Sequence, residues 1–338
     1  MSKKSSALAA AGILAAAVVL SGFSIYKDSH QKNSTDGTIT LRMAQTSSQA
    51  GAIGQSMEAF ADRIYDETEG KYKIETYHNG QLGAEIDTIE GCQMGTIDIA
   101  VVNQSTIGNF INDFQALDIP YLITSTEQAD AVFLGDIGTR FLDKLSGVHL
   151  YGLGIWESGF RNLTNSKRDV NSVDDVAGLK IRTMENSYHM DFWKKLKASP
   201  TPMSFSEVYI GLQQGTIDAQ ENPYEVIVSN KLYEQQDYVV ETNHLPHLIS
   251  LIVSDEFFQD LPEDKQAILV EAAEIAKEEA RQASDDRIAD KIKVIEDSGT
   301  QIVTLSDELR AEIREAVQPV YDEIEKNVDK KLYNAYMK

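Results

Sequence analysis

The chain has 338 residues, more than one compact core usually supports, so two lobes or domains are expected. With 42% hydrophobic and 25% charged residues and 7 prolines, its composition argues against extended disorder. The formal net charge of −22, from 53 acidic and 31 basic residues, disfavours binding to nucleic acid and to anionic lipid.

The N-terminus has the pattern of an export signal. Lys3 and Lys4 precede an uncharged run over 5–26 whose centre is rich in Ala, Val and Leu. A run of about 20 residues would also span a bilayer if it were not cleaved. We therefore predict that 1–26 is a signal peptide or signal anchor, and that the protein is exported to the periplasm or to the outer face of the cytoplasmic membrane. Phe23 stands where a lipoprotein signal would carry its cysteine.

The predicted elements begin after a polar spacer at 27–37. Alternation of Ile39, Leu41 and Met43 with polar residues predicts a strand, and helical spacing of apolar residues predicts a helix over 54–68. A second helix is predicted over 85–94, where Cys92, the only cysteine, is expected to be a buried structural residue. Further strands are predicted at 72–77, 96–102, 148–155 and 179–183. This order indicates an α/β fold.

A Gly-Thr-Ile-Asp sequence occurs twice, at 95–98 and at 215–218. Each copy follows a strand that contains Lys-Ile, at 73–74 and 180–181. The repeated order predicts two similar lobes.

The C-terminal part is predicted to be helical. Beyond Pro262, apolar residues fall on one face of a helix, and neither glycine nor proline interrupts the pattern before Gly299. A helix of that length is long enough to bridge two lobes. Apolar spacing over 306–333 predicts one or two closing helices.

Arg161 and Arg182 stand in apolar or neutral surroundings that are typical of strands. They are followed by Pro-Thr-Pro-Met at 200–203 and by Gly-Thr-Ile-Asp-Ala-Gln-Glu-Asn-Pro at 215–223. A guanidinium keeps its charge and presents five donors in one plane, which suits bidentate binding of a carboxylate. A cationic site inside an acidic protein therefore indicates an organic anion as the ligand.

These arginines also have a structural interpretation. Arg161 would then pair with Glu157 or another neighbouring acid, and Asn222 would turn the chain before Pro223. For Arg182 no local carboxylate is obvious in the sequence.

Several motifs in order resemble the solute-binding proteins of TRAP (tripartite ATP-independent periplasmic) transporters, the DctP-type family, over roughly residue 38 to the end. They are Asn-Gly-Gln-Leu-Gly at 79–83, Phe-Arg-Asn-Leu-Thr-Asn at 160–165, Gly-Leu-Lys-Ile-Arg at 178–182, Pro-Thr-Pro-Met at 200–203, Ser-Glu-Val-Tyr at 206–209 and Glu-Asn-Pro at 221–223. The sequence departs from the pattern of this family in three places: Ala219 stands in place of a glycine, His78 stands in place of a proline, and a His-Pro near Gln49 is absent.

The resemblance implies an α/β, periplasmic-binding-protein-like fold of two lobes with hinge strands and a long helix spanning both. Lobe I would comprise 38–158 plus about 248–287, and lobe II 159–247 plus about 288–338. It also implies closure around a small organic acid and delivery to a TRAP-type permease driven by an ion gradient.

The same resemblance implies the binding residues. Arg182 would form the carboxylate salt bridge, and Arg161 and Asn222 would add hydrogen bonds at that end of the ligand. The remaining positions carried over from the family are Gln45, Glu85, Asn103 and Phe205. Because Glu85 would repel a second carboxylate, a uronate or related sugar acid is expected rather than a C4-dicarboxylate.

Other classes of protein have weaker support. His244 and His247 have a spacing that could hold a metal, but no third ligand cluster is apparent, and no Gly-x-Ser-x-Gly elbow or phosphate-binding glycine loop occurs. An exported enzyme acting on acidic sugars would need an acid/base pair, for which Glu85 and Glu157 are the candidates. An extracytoplasmic sensor domain would bind the same ligand but would signal to a partner protein. We expect a monomeric binding protein without enzymatic activity, cofactor or metal.

Overall fold

The computed structural model describes residues 37–285 and 288–338. The predicted signal at 1–26, and the spacer at 27–37 apart from Gly37, lie outside the described residues. Within the described ranges, no helix is both long enough and apolar enough to cross a membrane.

The described residues alternate between strands and helices, as expected for an α/β protein. The strands are β1 (Ile39–Ala44), β2 (Tyr72–Tyr77), β3 (Ile99–Asn103), β4 (Leu150–Phe160), β5 (Asn162–Asn165), β6 (Lys180–Thr183), β7 (Ser199–Pro202), β8 (Ala219–Asn222), β9 (Tyr238–Val240), β10 (Pro246–Ser254) and β11 (Gln301–Val303). The α-helices are α1 (Ala52–Glu67), α2 (Glu85–Gln93), α3 (Gln104–Ile107), α4 (Thr126–Phe133), α5 (Asp136–Asp143), α6 (Ser187–Lys195), α7 (Val208–Gln213), α8 (Tyr224–Ser229), α9 (Asp255–Asp260), α10 (Glu263–Asp285), α11 (Ile288–Asp297), α12 (Asp307–Asn327) and α13 (Lys330–Tyr336). Short 3-10 segments lie at Asn112–Asp118, Lys144–Val148, Val173–Asp175, Phe205–Glu207 and Leu232–Gln235.

The strands form two sheets. The first has the order β2-β1-β3-β10-β4, with β1 parallel to β2 and β3, and with β10 antiparallel to β3 and β4. The second has the order β11-β9-β5-β8-β6-β7. We call each sheet, with the helices packed on it, the first lobe and the second lobe.

The first sheet is buried on both faces because apolar side chains alternate along its central strands. Ile99 and Val101 of β3 face one hydrophobic core, whereas Ala100 and Val102 face the other. Every residue of β10 is buried. A strand that is covered on both faces has a nearly continuous run of apolar residues in its sequence. The sequence of β10 contains such a run, Leu-Ile-Ser-Leu-Ile-Val.

Two of the connections between the sheets run directly from strand to strand, and these two crossings are hydrogen-bonded to each other; a third passage, along α10 and α11, leads from β10 to β11. The first crossing is at Arg161, between β4 and β5, and the second lies between β9 and β10. The Arg161 N–H donates to the Leu245 carbonyl over 2.8 Å, and the His244 N–H donates to the Arg161 carbonyl over 3.3 Å. Just before the first crossing, Gly159 has a φ of 89°, which only glycine adopts easily.

The repeated Gly-Thr-Ile-Asp sequence forms the same turn in both lobes. Gly95 and Gly215 have φ values of 66° and 70°. Asp98 Oδ2 accepts a hydrogen bond from the backbone of Arg42 in β1, and Asp218 Oδ2 accepts one from Lys180 in β6. The local similarity of the two lobes, predicted from the sequence, is confirmed at these turns.

The C-terminal helices contact both lobes. Helix α10 packs on α1 and β4 of the first lobe, and α11 packs on α8 and β11 of the second. The predicted long helical region therefore reaches both lobes, with α10 on the first and α11 on the second. Helix α12 contacts α6 and the 3-10 segment Asn112–Asp118, and α13 contacts α5. The numerical lobe boundaries proposed from the sequence stay a prediction.

Candidate functional site

A cleft of about 470 Å³ of empty space, counting solvent at its mouth, lies between the lobes. The first lobe contributes mainly Thr46, Ser47, Glu85, Asn103 and Thr106. The second lobe contributes Arg182, Met184, Glu185, Met203, Phe205 and Asn222. Arg161, at the first crossing, and His247, at the start of β10, also line the cleft.

Arg182 is a buried cation held in place without a carboxylate. Its Nε and Nη2 donate to the carbonyl of Met203 over 2.9 and 2.7 Å, and its guanidinium carbon lies 5.6 Å from the centre of the Phe205 ring. Among the described residues, no acidic side chain lies within ion-pair distance of Arg182. Burial lowers the pKa of Arg182 to about 10, so it stays charged at neutral pH. The arrangement leaves a fixed positive charge for an anion in the cleft.

Arg161, by contrast, is already paired. Its Nε lies 2.5 Å from Glu221 Oε2, and its Nη2 lies 2.9 Å from Glu221 Oε1 and 3.1 Å from Asn222 Oδ1. The sequence-based structural interpretation was therefore right about a carboxylate partner, but the partner is Glu221 and not Glu157. The remaining nitrogen, Nη1, is buried and has no hydrogen-bond partner among the described residues.

Glu85 and Asn103 lie on the first-lobe wall, where the sequence analysis expected them to contribute. Glu85 begins α2; its Oε1 accepts from the backbone N–H of Asn103 over 3.1 Å and its Oε2 from the Thr106 hydroxyl over 2.5 Å. Asn103 ends β3 and caps α3 by accepting from Ser105 N. Burial raises the pKa of Glu85, and these hydrogen bonds offset only part of that effect.

The other candidates differ in position. Phe205 lies on the second-lobe wall beside Arg182. Asn222 also lines the cleft, but its amide is engaged with Arg161 and, over 2.5 Å, with Gln220. Gln45 is not part of the lining. Its Nε2 lies 2.8 Å from His78 Nδ1, and the neighbouring Thr46 and Ser47 reach the cleft instead.

Behind Arg161 lies a buried charge network that the sequence analysis missed. Glu221 Oε2 lies 3.1 Å from His244 Nε2, and Glu221 Oε1 lies 3.6 Å from His189 Nδ1. Burial alone would raise the pKa of Glu221, but Arg161 and the two histidines outweigh it and hold this pKa well below its usual range. Glu221 is therefore an ionised carboxylate that fixes Arg161.

The network continues into the first lobe through Asp118. His189 Nε2 lies 3.0 Å from Asp118 Oδ1, and Asn186 Nδ2 donates to Asp118 Oδ2 over 2.8 Å. Burial disfavours the charged imidazole, but Asp118 and Glu221 outweigh it and raise the pKa of His189 to about 9. A protonated His189 thus bridges two carboxylates, one in each lobe.

No group of His, Cys, Asp and Glu side chains suited to a metal ion occurs among the described residues. Cys92 is buried in α2, as the sequence predicted, and burial raises the pKa of its thiol.

The model of the family "bacterial extracellular solute-binding protein, family 7" matches residues 43–327. Three solved TRAP-type or sugar-acid binding proteins are similar in structure. The sugar acid binding protein of Advenella mimigardefordensis, in complex with galactonate, has a TM-score of 0.86 and 31% identity, with 89% of this chain and 97% of that chain covered.

The two others are TRAP periplasmic solute-binding proteins. The Polaromonas sp. JS666 protein, bound to D-erythronate, has a TM-score of 0.84 and 35% identity, with 88% and 98% of the two chains covered. The Chromohalobacter salexigens protein, with bound D-glucuronate, has a TM-score of 0.84 and 30% identity, with 88% and 99% covered. The predicted resemblance and the two-lobe α/β fold are confirmed, and these similar proteins are binding proteins rather than enzymes.

Proposed function

Because this chain belongs to bacterial extracellular solute-binding protein family 7, the binding proteins of TRAP transporters, we propose that it captures a sugar acid outside the cytoplasm and delivers it to a TRAP-type permease. Family members bind small organic acids and work with TRAP permeases. The observation that carries the proposal for this chain is Arg182, a buried guanidinium in the cleft that forms no ion pair within the described part of the chain.

The proposed binding mode follows from the bonds that are already made. Arg182 binds the ligand carboxylate through the edge of its guanidinium that is not bound to Met203. Arg161 contributes its remaining nitrogen, and Asn222 acts mainly by holding Arg161. Phe205 forms an apolar wall beside the ion pair. Closure of the lobes removes water from this ion pair and strengthens it.

A hydroxylated monocarboxylate fits the cleft better than a dicarboxylate. Arg161 is neutralised by Glu221, so Arg182 supplies the net positive charge. Glu85 and Glu185 both line the cleft and repel a second carboxylate, whereas Glu85 and Asn103 offer oxygen and nitrogen atoms for hydroxyls. Galactonate, D-erythronate and D-glucuronate in the three similar structures are acids of this kind.

A C4-dicarboxylate is the second candidate. One solved family protein, from Sulfurospirillum deleyianum, has bound succinate at 27% identity. The observation in its favour is the raised pKa of Glu85, because a protonated Glu85 carries no charge and would not repel a second carboxylate nearby.

Three further parts of the proposal concern the whole chain. Export by the N-terminal segment at 1–26 follows from its sequence pattern. The charge of −22 disfavours binding to nucleic acid, and we expect the protein to be a monomer.

The test is a thermal-shift panel on the purified protein, with aldonates, uronates, C4-dicarboxylates, sialic acid and amino acids. A ligand that binds only the folded state at 100 times its Kd stabilises it by about 2.7 kcal/mol, which corresponds to a shift of several degrees. A shift with a sugar acid supports the proposal. A shift with C4-dicarboxylates alone favours the second candidate, and no shift with any acid contradicts both.

A further inference from the structure

His247 is a buried residue of the cleft to which the sequence analysis gave no role in ligand binding. It is the second residue of β10, where the chain returns to the first lobe, and only 5% of its surface is exposed. It lines the cleft together with Arg161 and Arg182.

The imidazole of His247 is neutral. Burial lowers the pKa of His247 to about 3, and the charge of Arg161 acts in the same direction. A neutral imidazole carries one N–H and one lone pair. It can therefore donate one hydrogen bond and accept another.

The direction of these hydrogen bonds follows from its surroundings. Nδ1 is buried without a partner among the described residues, and the backbone of Ser158 near the ring favours an N–H on the imidazole. We therefore assign the N–H to Nε2, as the donor to the Ser158 carbonyl. The lone pair is left on Nδ1, which is an acceptor without a donor.

The cleft also contains the complementary unpartnered atom. Arg161 Nη1 is a buried donor without an acceptor among the described residues. Arg161, Arg182 and His247 line the same cleft, and the charge of Arg161 lowers the pKa of the other two. Leaving a buried polar atom unpaired is unfavourable, so a ligand that satisfies both atoms gains affinity.

We propose that His247 selects ligands with a free hydroxyl beside the carboxylate: Arg182 binds the carboxylate, the hydroxyl donates to His247 Nδ1, and its oxygen accepts from Arg161 Nη1. A hydroxyl is both donor and acceptor, which is what this pair of atoms requires. The inference rests on the proposed function and narrows its ligand to open-chain 2-hydroxy acids, such as aldonates. A pyranose uronate has its ring oxygen at the corresponding place, and that oxygen has no proton to donate.

The test compares an aldonate with its 2-deoxy analogue by titration calorimetry, in the native protein and in His247→Leu. We expect the native protein to bind D-gluconate about tenfold or more tightly than 2-deoxy-D-gluconate, and the leucine variant to lose most of this preference. A merely structural role of His247 would weaken the binding of both acids by the same factor.

His247→Asn serves as the conservative variant, because its side-chain oxygen provides an acceptor close to the place of Nδ1. We expect it to keep part of the preference. An equal preference in the native and leucine proteins, or native binding restricted to acids without a free 2-hydroxyl, would overturn this inference and leave the proposed function standing. Binding of no acid would overturn the proposed function itself.

Discussion

Asp118 in the first lobe and His189 in the second lie with Oδ1 and Nε2 3.0 Å apart, both almost fully buried. His189 also lies next to Glu221, the partner of Arg161. The contact between the lobes is thus continuous with the charges that position the cleft arginine. Separation of the lobes would expose two carboxylates and a histidine to water together.

This contact predicts a pH dependence of stability. The pKa of His189 is about 9 in the folded protein, against an ordinary value of 6.5. Its stabilisation is therefore complete below pH 6.5 and is lost as the pH rises to about 9, a change of at most ~3 kcal/mol in the free energy of unfolding. Urea unfolding at pH 6.5, 7.5 and 9 measures it.

Asp118→Asn should flatten this profile, because it removes the charge that raises the pKa of His189. Asp143→Asn, an exposed residue of the same lobe, is the matched control and should keep the native profile. A native free energy of unfolding that stays constant or rises from pH 6.5 to 9 would contradict the assignment of a charged His189.

A second contact between the lobes predicts a loss of stability on mutation. Glu225 Oε1 accepts from the backbone N–H of Ala52 at the start of α1 over 2.7 Å, and its Oε2 lies 2.5 Å from Lys291 Nζ. Lys291 in turn donates to the Ser284 carbonyl over 2.7 Å. Glu225→Ala leaves a buried ammonium without its carboxylate and should lower the free energy of unfolding by about 3 kcal/mol.

The control for Glu225 is an exposed ion pair in α11. Lys293 and Asp297 lie 2.9 Å apart, but both are about two-thirds exposed, so Asp297→Ala should have little effect on stability. Equal effects of the two substitutions in urea unfolding would show that Glu225 does not stabilise the contact between the lobes.

The two cleft arginines should affect ligand-free stability differently. Arg161→Ala removes the ion-pair partner of the buried Glu221 carboxylate and should lower the free energy of unfolding by about 3 kcal/mol or more. Arg182→Ala removes a buried charge without a carboxylate partner, and should change stability by less than ~1 kcal/mol because lost hydrogen bonds to Met203 are offset by relief of desolvation. Thermal and urea unfolding without ligand measure both. A cost for Arg182→Ala as large as that for Arg161→Ala would indicate a structural role for Arg182.

Arg182, which lines the cleft, could be selected as a candidate from the sequence alone because its strand-like surroundings are visible within a few residues. Arg182 alternates with the buried Ile181 in β6, and the nearest acid in the sequence, Glu185, lies beyond the end of that strand. Arg161 was also identified, but its partner was misplaced. Glu157 is close in sequence, whereas Glu221 lies in the neighbouring strand β8, in register with Leu163, a proximity that only the sheet reveals.

Tertiary contacts explain the other differences. Asp118 and His189 are 71 residues apart and belong to different lobes, so no spacing in the sequence connects them. Gln45 follows the end of β1, where the alternation of a strand no longer determines which side chain faces the cleft. The histidine pair at 244 and 247 was noticed for its spacing, but burial gives the two rings separate partners: Glu221 for one and Ser158 for the other.

The central claim is that Arg182 binds the carboxylate of the ligand. Titration calorimetry with the sugar acid that gives the largest thermal shift should compare the native protein with Arg182→Ala, Arg182→Lys and, as a control, the exposed Arg140→Ala. We predict a loss of at least ~3 kcal/mol for the alanine variant and a substantial loss for the lysine variant, which keeps the charge but lacks the planar pair of donors. Arg140→Ala should bind as the native protein does. Unchanged affinity in Arg182→Ala would contradict the account.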